Sequence, residues 1–438
     1  MTDQIRAEHI YNILMDSIRN LDSVKYLFLR NPATDFTRNR KIPFDKVILF
    51  HLLLSDKTLQ NELLQYYNDS AVTPTKSALC QQRDKILPEA FEFLFRLFTE
   101  ELMKLPDLQT MKGHQMLATD GSGVNSPYNP DDTDSFHQNG DKKGYNQHHL
   151  NCLYDLVNDT YTDAIVTGCK ADERDALITM IHRRQSSVPA IIIADRGYES
   201  YNVFAHMQES GQKFVIRIKA KDSNGILSSC NLPDGEFDMD FETILTCLQT
   251  NEVKQNGEKY TYVTPDHFDF FDDRNRFYNL KMRIVCIKLE DDNYEYLATN
   301  LPRDEFTFDD MRTIYNMRWG IETSFRSLKY TIGLVHFHGK KPASVLMELW
   351  SRLILYNFCG AITRRVTITV CEQRSDEYKH AVKVNFTEAV HVCKAYLHGK
   401  IDNPEPSISR FLIPIRPDRK APRNVRPQSA KIFIYRAV

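Results

Sequence analysis

The chain predicts an α/β protein, in which a mixed sheet carrying helices is preceded by a helical N-terminal region, interrupted by a strand-rich stretch and followed by further helices. Three observations lead there. Apolar residues recur at three- and four-residue steps up to about Leu105 and again after Phe306. From Gln115 to Lys219 the order reads strand-strand-strand-helix-strand-helix-strand. From about Ala220 to Asn300 apolar and polar residues alternate with period two.

The N-terminal helices are carried by VILFHLLLSDKTLQNELLQYY and FEFLFRLFTEELMKL. Between them lies TPTKSALCQQRDKI, where Thr73 can cap, Pro74 suits the first helical position, and Lys76, Ser77, Gln81, Gln82 and Arg83 face outward. Such a polar helix either enters a DNA groove or is an ordinary surface helix. QMLATD, HHLNCLYDLV and YTDAIVTG read as strands, the last two joined by a turn at Asn158 and Asp159. A helix follows from Asp172 to about Arg184, then the strand PAIIIAD, a helix from Ser200 to Glu209 stopped by Gly211, and the strand KFVIRIK. EKYTYVT, LKMRIVCIKL and NYEYLATNL supply the strand-rich stretch, with turns at AsnGly 256–257 and at 291–293. After Phe306 come one helix bearing polar residues and the scaffold segment VLMELWSRLILYNFCGAIT.

At 438 residues and 42% hydrophobic, the chain is long enough for two or three cores. A net charge of −2 excludes a uniformly basic coat, although Arg410, Arg416, Arg419, Lys420, Arg423, Arg426, Lys431 and Arg436 face one acid, Asp418. That tail is either a polyanion-binding element or a solvated terminus. Nine cysteines without a CxxC pair or zinc-finger spacing predict reduced thiols and neither a disulfide framework nor structural zinc. The longest apolar run noted, VILFHLLL, falls short of the roughly 20 residues of a membrane span, and the start lacks a signal design. The expectation is a soluble cytoplasmic protein without membrane contact.

Tyr315, Arg318, Glu322 and Lys329, in YNMRWGIETSFRSLK, recur at steps of three, four and seven and fall on one stripe of an α-helix. Cations neutralise phosphate and a carboxylate offers hard oxygen, so the stripe suits an anionic ligand beside a metal. The plainer reading is a solvated face stitched by Arg318 and Glu322. Asp120 closes the run LATDGSG and Asp195 the run IIIADRGY, each expected at a strand end with glycines leaving backbone room for a ligand. If the first and fourth strands are neighbours, the two carboxylates lie side by side and their repulsion favours a divalent ion, with Glu322 completing the set. Oxygen ligands alone suit Mg²⁺ or Mn²⁺ rather than zinc. Arg196 either neutralises DNA phosphate or pairs with Asp195. Asp131, Asp132 and Asp134 read as a solvated turn, and His148 and His149 as structural.

Together these residues resemble the DDE transposases of bacterial insertion sequences that carry a Tyr-x2-Arg-x3-Glu-x6-Lys signature (the family-four-like group), over roughly Gln115 to Tyr356. The resemblance implies a ribonuclease H-like catalytic core at 111–219 and 301–365 and a β-rich insertion domain at 220–300. A helical DNA-binding region at 1–110 and a C-terminal region at 366–438 complete the expected organisation. It implies that Asp120, Asp195 and Glu322 hold two Mg²⁺ or Mn²⁺ ions about 3.5–4 Å apart for in-line displacement at phosphorus. Tyr315, Arg318 and Lys329 would grip the end of the element, with Lys76, Gln81, Gln82 and Arg83 as readers of its sequence. Tyr294, Tyr296 and Trp319 are candidates for base stacking, ordinary packing being the preferred reading. Double-stranded DNA, both element ends and target, is the implied partner, held by a homodimer at the nucleoid. The other readings are an inactive, transposase-derived DNA-binding protein and another ribonuclease H-like nuclease such as a junction resolvase.

Overall fold

The computed structural model describes residues 5–415 apart from 39, 139, 142, 169–171, 229, 231, 290–292 and 375–379. The expected basic tail from Arg416 onward, and most of the turn at 291–293, lie outside the described residues. Helices α1 (Ala7–Ser23), α2 (Phe44–Leu53), α3 (Leu59–Tyr66), α4 (Lys76–Arg83) and α5 (Glu89–Met103) open the chain. In α5 the buried residues Phe91, Leu94, Phe95, Phe98 and Leu102 follow the three-four spacing that marks one apolar stripe. Thr75, not Thr73, caps α4 by accepting from the Ala78 N–H at 3.2 Å, so the helix starts two residues later than the Pro74 signal suggests.

Next come β1 (Gln115–Ser126), β2 (Phe136–His137), β3 (Tyr145–Asp155), β4 (Thr160–Thr167), α6 (Glu173–Arg183), β5 (Ala190–Ala194), α7 (Tyr201–Glu209) and β6 (Lys213–Ile218). β4, β3 and β1 are antiparallel neighbours, and β5 and β6 run parallel to β1. The strand-rich stretch supplies β7 (Phe237–Thr246), the short helix α8 (Asn251–Gln255), β8 (Tyr260–Tyr262), β9 (Phe277–Lys288) and β10 (Tyr294–Thr299). These strands form no sheet of their own. β10 pairs with β6, and β9, β7 and β8 follow, giving one ten-stranded sheet. The turn expected at AsnGly 256–257 is present at 257–259, directly after α8, whose C-cap is Asn256 and which crosses between the parallel strands β7 and β8.

The chain finishes with α9 (Phe308–Met317), α10 (Trp319–Arg326), a π-helical turn (Ser327–Thr331), α11 (Pro342–Arg374), β11 (Val382–Val384), α12 (Phe386–Leu397), α13 (Glu405–Ile408) and β12 (Leu412–Pro414). α11 is long and apolar enough to cross a membrane by length and composition, which the sequence reading overlooked, yet 94% of its most apolar window is buried inside the fold. Leu353, Ile354, Leu355 and Phe358 are fully buried, each worth about 1.5–3 kcal/mol of burial. Its polar groups are also used. Asn357 accepts from the Tyr161 N–H at 2.7 Å and donates to Tyr161 O at 2.8 Å and Thr99 Oγ1 at 3.0 Å, tying the helix to β4 and α5.

Boundaries at 110 and 365 do not separate cores. Residues of α1–α5 share one apolar cluster with α10–α12 and with Ala118, Leu150, Cys152 and Tyr161 of the sheet. The same sheet face carries α9 on Met116, Ile191, Ile193, Val215 and Leu297, while α6 and α7 cover the opposite face.

Candidate active site

β1 and β5 are paired through Ala118 and Ile193, and β5 then ends while β1 continues along β3. Asp120 and Asp195 each stand two residues beyond that last rung. Side chains alternate with period two, so both carboxylates project on the face of Ala118 and Ile193, under the helices α9–α11. Asp195 follows its strand as expected; Asp120 lies inside β1, because β3 keeps that strand going to Ser126. Burial pushes the Asp120 carboxyl up to about 6, the Gly121 N–H opposes this, and the charges of Asp195 and Glu173 raise it again. Asp195 accepts from the Gly197 N–H at 2.8 Å and caps the turn Arg196–Tyr198. Arg196 is exposed and has no ion pair among the described residues, so the pairing alternative for it is not found.

Gly121 and Gly123 leave no free room. A Cβ at Gly121 would lie 2.4 Å from both Glu173 Oε1 and His149 Nε2, and one at Gly123 would meet the Gln147 amide at 2.8 Å. His149 and Glu173 bond each other at 2.8 Å above Gly121. Gly121→Ala is therefore expected to force that pair apart and cost about 1–3 kcal/mol, measurable as a lowered denaturation midpoint. An unchanged midpoint would show that the pair shifts freely.

The signature does not lie on one continuous α-helix. The chain tightens at Arg318, with bonds of three-residue span from Arg318 N to Tyr315 O and from Ile321 N to Arg318 O, and α10 starts anew. Gly320 lets α10 close on Leu156, whose Cδ2 would be 2.6 Å from an added Cβ. The π turn then carries Lys329, with Ile332 N reaching back to Ser327 O at 2.9 Å. Tyr315 and Lys329 nevertheless meet the sheet, and Glu322 meets Arg318. Lys329 Nζ donates to Gly123 O at 2.8 Å; burial lowers its affinity for a proton and Asp120 restores part of it. Arg318 Nη2 donates to Glu322 Oε1 at 2.9 Å, and its guanidinium lies 4.8 Å from the Trp319 ring centroid and 5.8 Å from that of Tyr315. Tyr315 is 3% and Arg318 6% exposed, so this is no solvated helix face, although the Arg318–Glu322 pair exists. Arg318 Nε is buried without a partner.

Residues that sequence reasoning missed join them. Glu173 and His149 come from the other face, and no spacing in the sequence links them. Arg217 of β6 and Glu295 of β10 had a legible signal, since each interrupts an apolar strand, in KFVIRIK and YEYLAT. Of the aromatic candidates, Tyr296 is buried, as packing predicts, whereas Trp319 is 46% exposed. Away from this site, α4 presents Lys76 and Gln81 to solvent, but Gln82 and Arg83 are buried, against expectation. Gln82 Oε1 accepts from Lys85 Nζ at 3.1 Å and Arg83 Nε lies 3.8 Å from Asp84, because the last turn of α4 rests on the helical core.

A family model described as "Transposase DDE domain" matches residues 111–358. No curated protein matches the chain. Among solved structures, the chain is similar to a piggyBac transposase in a synaptic complex with hairpin DNA, at 11% identity and a TM-score of 0.43, over 95% of this chain and 87% of that one.

Proposed function

Because the chain belongs to the transposase DDE domain family, we propose that it cuts DNA at the terminal repeats of its own insertion sequence and joins the freed ends to a target, by cut-and-paste transposition. The observation carrying this reading is the common face of Asp120 and Asp195 at the β1/β5 split, beneath the helix pair that bears Tyr315, Arg318 and Glu322. The strand order β4-β3-β1-β5-β6, three antiparallel and then two parallel, fits a ribonuclease H-like core.

Divalent metal ions are general to such domains, and the donors here fit one. The proton affinity of Asp120 is raised by burial and by neighbouring carboxylates, an excess of negative charge that a cation relieves. Asp120, Asp195 and Glu322 would hold Mg²⁺ or Mn²⁺, two ions per site, although among the described residues no three acidic, histidine or cysteine side chains already converge. When bound, such ions supply an activated water or 3′-hydroxyl and charge stabilisation at phosphorus. The chain's own cations position the substrate: Arg318, with an unpartnered buried Nε, and Lys329, fixed beside Asp120, hold phosphates, and Tyr315 walls the cleft. Lys76 and Gln81, away from the metals, and Arg196, next to Asp195, are exposed and available to DNA. Two copies would hold the two ends.

The test is to incubate the protein with Mg²⁺ and linear DNA carrying the inverted repeats that flank its gene. Cleaved ends and strand-transfer products support the reading. Binding without cleavage would favour a non-enzymatic DNA-binding protein, and cleavage without joining another nuclease. Arg318→Ala and Lys329→Ala are expected to make the salt dependence of affinity for pre-cleaved ends shallower by about one unit of log–log slope each. A salt series on both variants checks this, and wild-type slopes would remove those residues from phosphate contact.

A further inference from the structure

Beyond the signature, the catalytic face carries a charged pair contributed in part by the strand-rich stretch. Val215 pairs with Ile193, and Arg217 stands two residues further along β6, so it shares the face of Asp195. Leu297 of β10 lies opposite Arg217, and Glu295 is two residues from Leu297, again on that face. Val215 and Leu297 belong to the apolar layer under α9, which places Arg217 and Glu295 at its rim, beside Tyr315 and Arg318. Glu295 is 8% exposed, and its Oε1 lies 3.3 Å from Arg217 Nε. Burial raises the Glu295 carboxyl, and Arg217 and Arg318 both pull it back, so the two guanidiniums act on one sunken carboxylate. Tyr315 senses the same three charges.

We propose that Glu295 is a positioning residue that acts from β10 as the counter-ion of Arg217, fixing where that guanidinium, beside Tyr315 and Arg318, presents itself to a DNA phosphate next to Asp195. This rests on the reading of the site given above. Two arginines brought together without a carboxylate between them repel, and each has long side-chain freedom to swing away. Arg318 is already held by Glu322 and by the charge of Asp195, so Glu295 acts chiefly on Arg217, which it pairs directly. A guanidinium displaced by about 1 Å is enough to cost on the order of a hundredfold in rate when it must meet a reacting phosphate.

The experiment compares Glu295→Gln, Arg217→Ala and the double variant in cleavage of saturating end DNA with Mg²⁺, with end affinity and melting temperature measured in parallel. Glu295→Gln is expected to lower the cleavage rate about tenfold or more while affinity stays within about twofold. The double variant should be scarcely slower than Arg217→Ala, since both changes remove one interaction. Glu295→Asp, keeping the charge, should recover part of the rate. Normal cleavage by Glu295→Gln, losses that multiply in the double variant, or a deficit that vanishes at a temperature where the variant is fully folded would each overturn the proposal. If Glu295→Gln does not fold, Glu295→Asp with its Arg217→Ala partner gives the same cycle. Cleavage that survives Asp120→Ala would instead overturn the reading of the site itself.

Discussion

Replacing Asp120, Asp195 or Glu322 with alanine is expected to lower Mg²⁺-dependent cleavage by a thousandfold or more, on the order seen when one member of a catalytic unit is removed, with affinity for uncut ends within a few-fold of wild type. The separation of effects follows from position. Both aspartates stand under the helices at the sheet split, where few surface contacts with a duplex are available, whereas phosphate contacts by cations dominate affinity. The check is a gel-shift titration beside a cleavage time course in Mg²⁺ and in Mn²⁺. A variant that cleaves at a near-normal rate in either ion would take that residue out of the metal site.

The second large effect concerns stability. Glu348 of α11 is fully buried and accepts from the backbone N–H groups of His338, at 2.8 Å, and Gly339, also at 2.8 Å. Burial alone would raise its carboxyl, but the hydrogen bonds and charge of His338 and the charge of Arg352 outweigh burial and hold it at about 2. Glu348→Ala, which leaves Arg352 without that charge, is expected to cost about 3–5 kcal/mol. The pH dependence has a definite sign. A carboxylate whose folded pKa lies below its ordinary 4.5 stabilises fully above that value, and the contribution, about 3 kcal/mol, is lost as the pH falls toward 2. His51, lowered to about 4 by burial and by Arg83, adds loss in the same direction between its ordinary 6.5 and 4. Urea denaturation at pH 7, 5 and 3 should show the wild type losing stability in both intervals and Glu348→Gln losing clearly less than the wild type between pH 5 and 3, where it lacks the Glu348 contribution and keeps that of His51. Equal slopes below pH 4.5 would refute this account of Glu348.

Local pattern made much of this legible. Short apolar runs bounded by turn residues located β1, β5 and β6, whereas the condition on which the carboxylate argument depends, first and fourth strands as neighbours, is supplied by the pairing of β1 with β5. What stayed hidden involves contacts between distant segments. Nothing in the spacing of Tyr315, Arg318, Glu322 and Lys329 announces the tightening at Arg318 or the π turn, which arise where α10 closes on Leu156 and Lys329 reaches Gly123. Gln82 and Arg83 look solvent-facing by type, and only the packing of α4 on its neighbours buries them. Likewise Glu173 and His149 are 24 residues apart and meet over a glycine that sequence alone reads as open space.

The apolar cluster shared by both ends of the chain has one more consequence. Leu79 of α4 packs in the same core as Ile321 and Phe325 of α10, so on the proposed reading any bases touched by Lys76 or Gln81 and the phosphodiester addressed by Glu322 would be measured from one packed body. Such a body works as a ruler. Adding one base pair between the recognised sequence and the scissile bond moves that bond by about 3.4 Å and turns it by about a tenth of a helical revolution. With α4 and α10 in one core, the proposed reading makes the spacing within the terminal repeat, as much as its bases, part of what would be recognised.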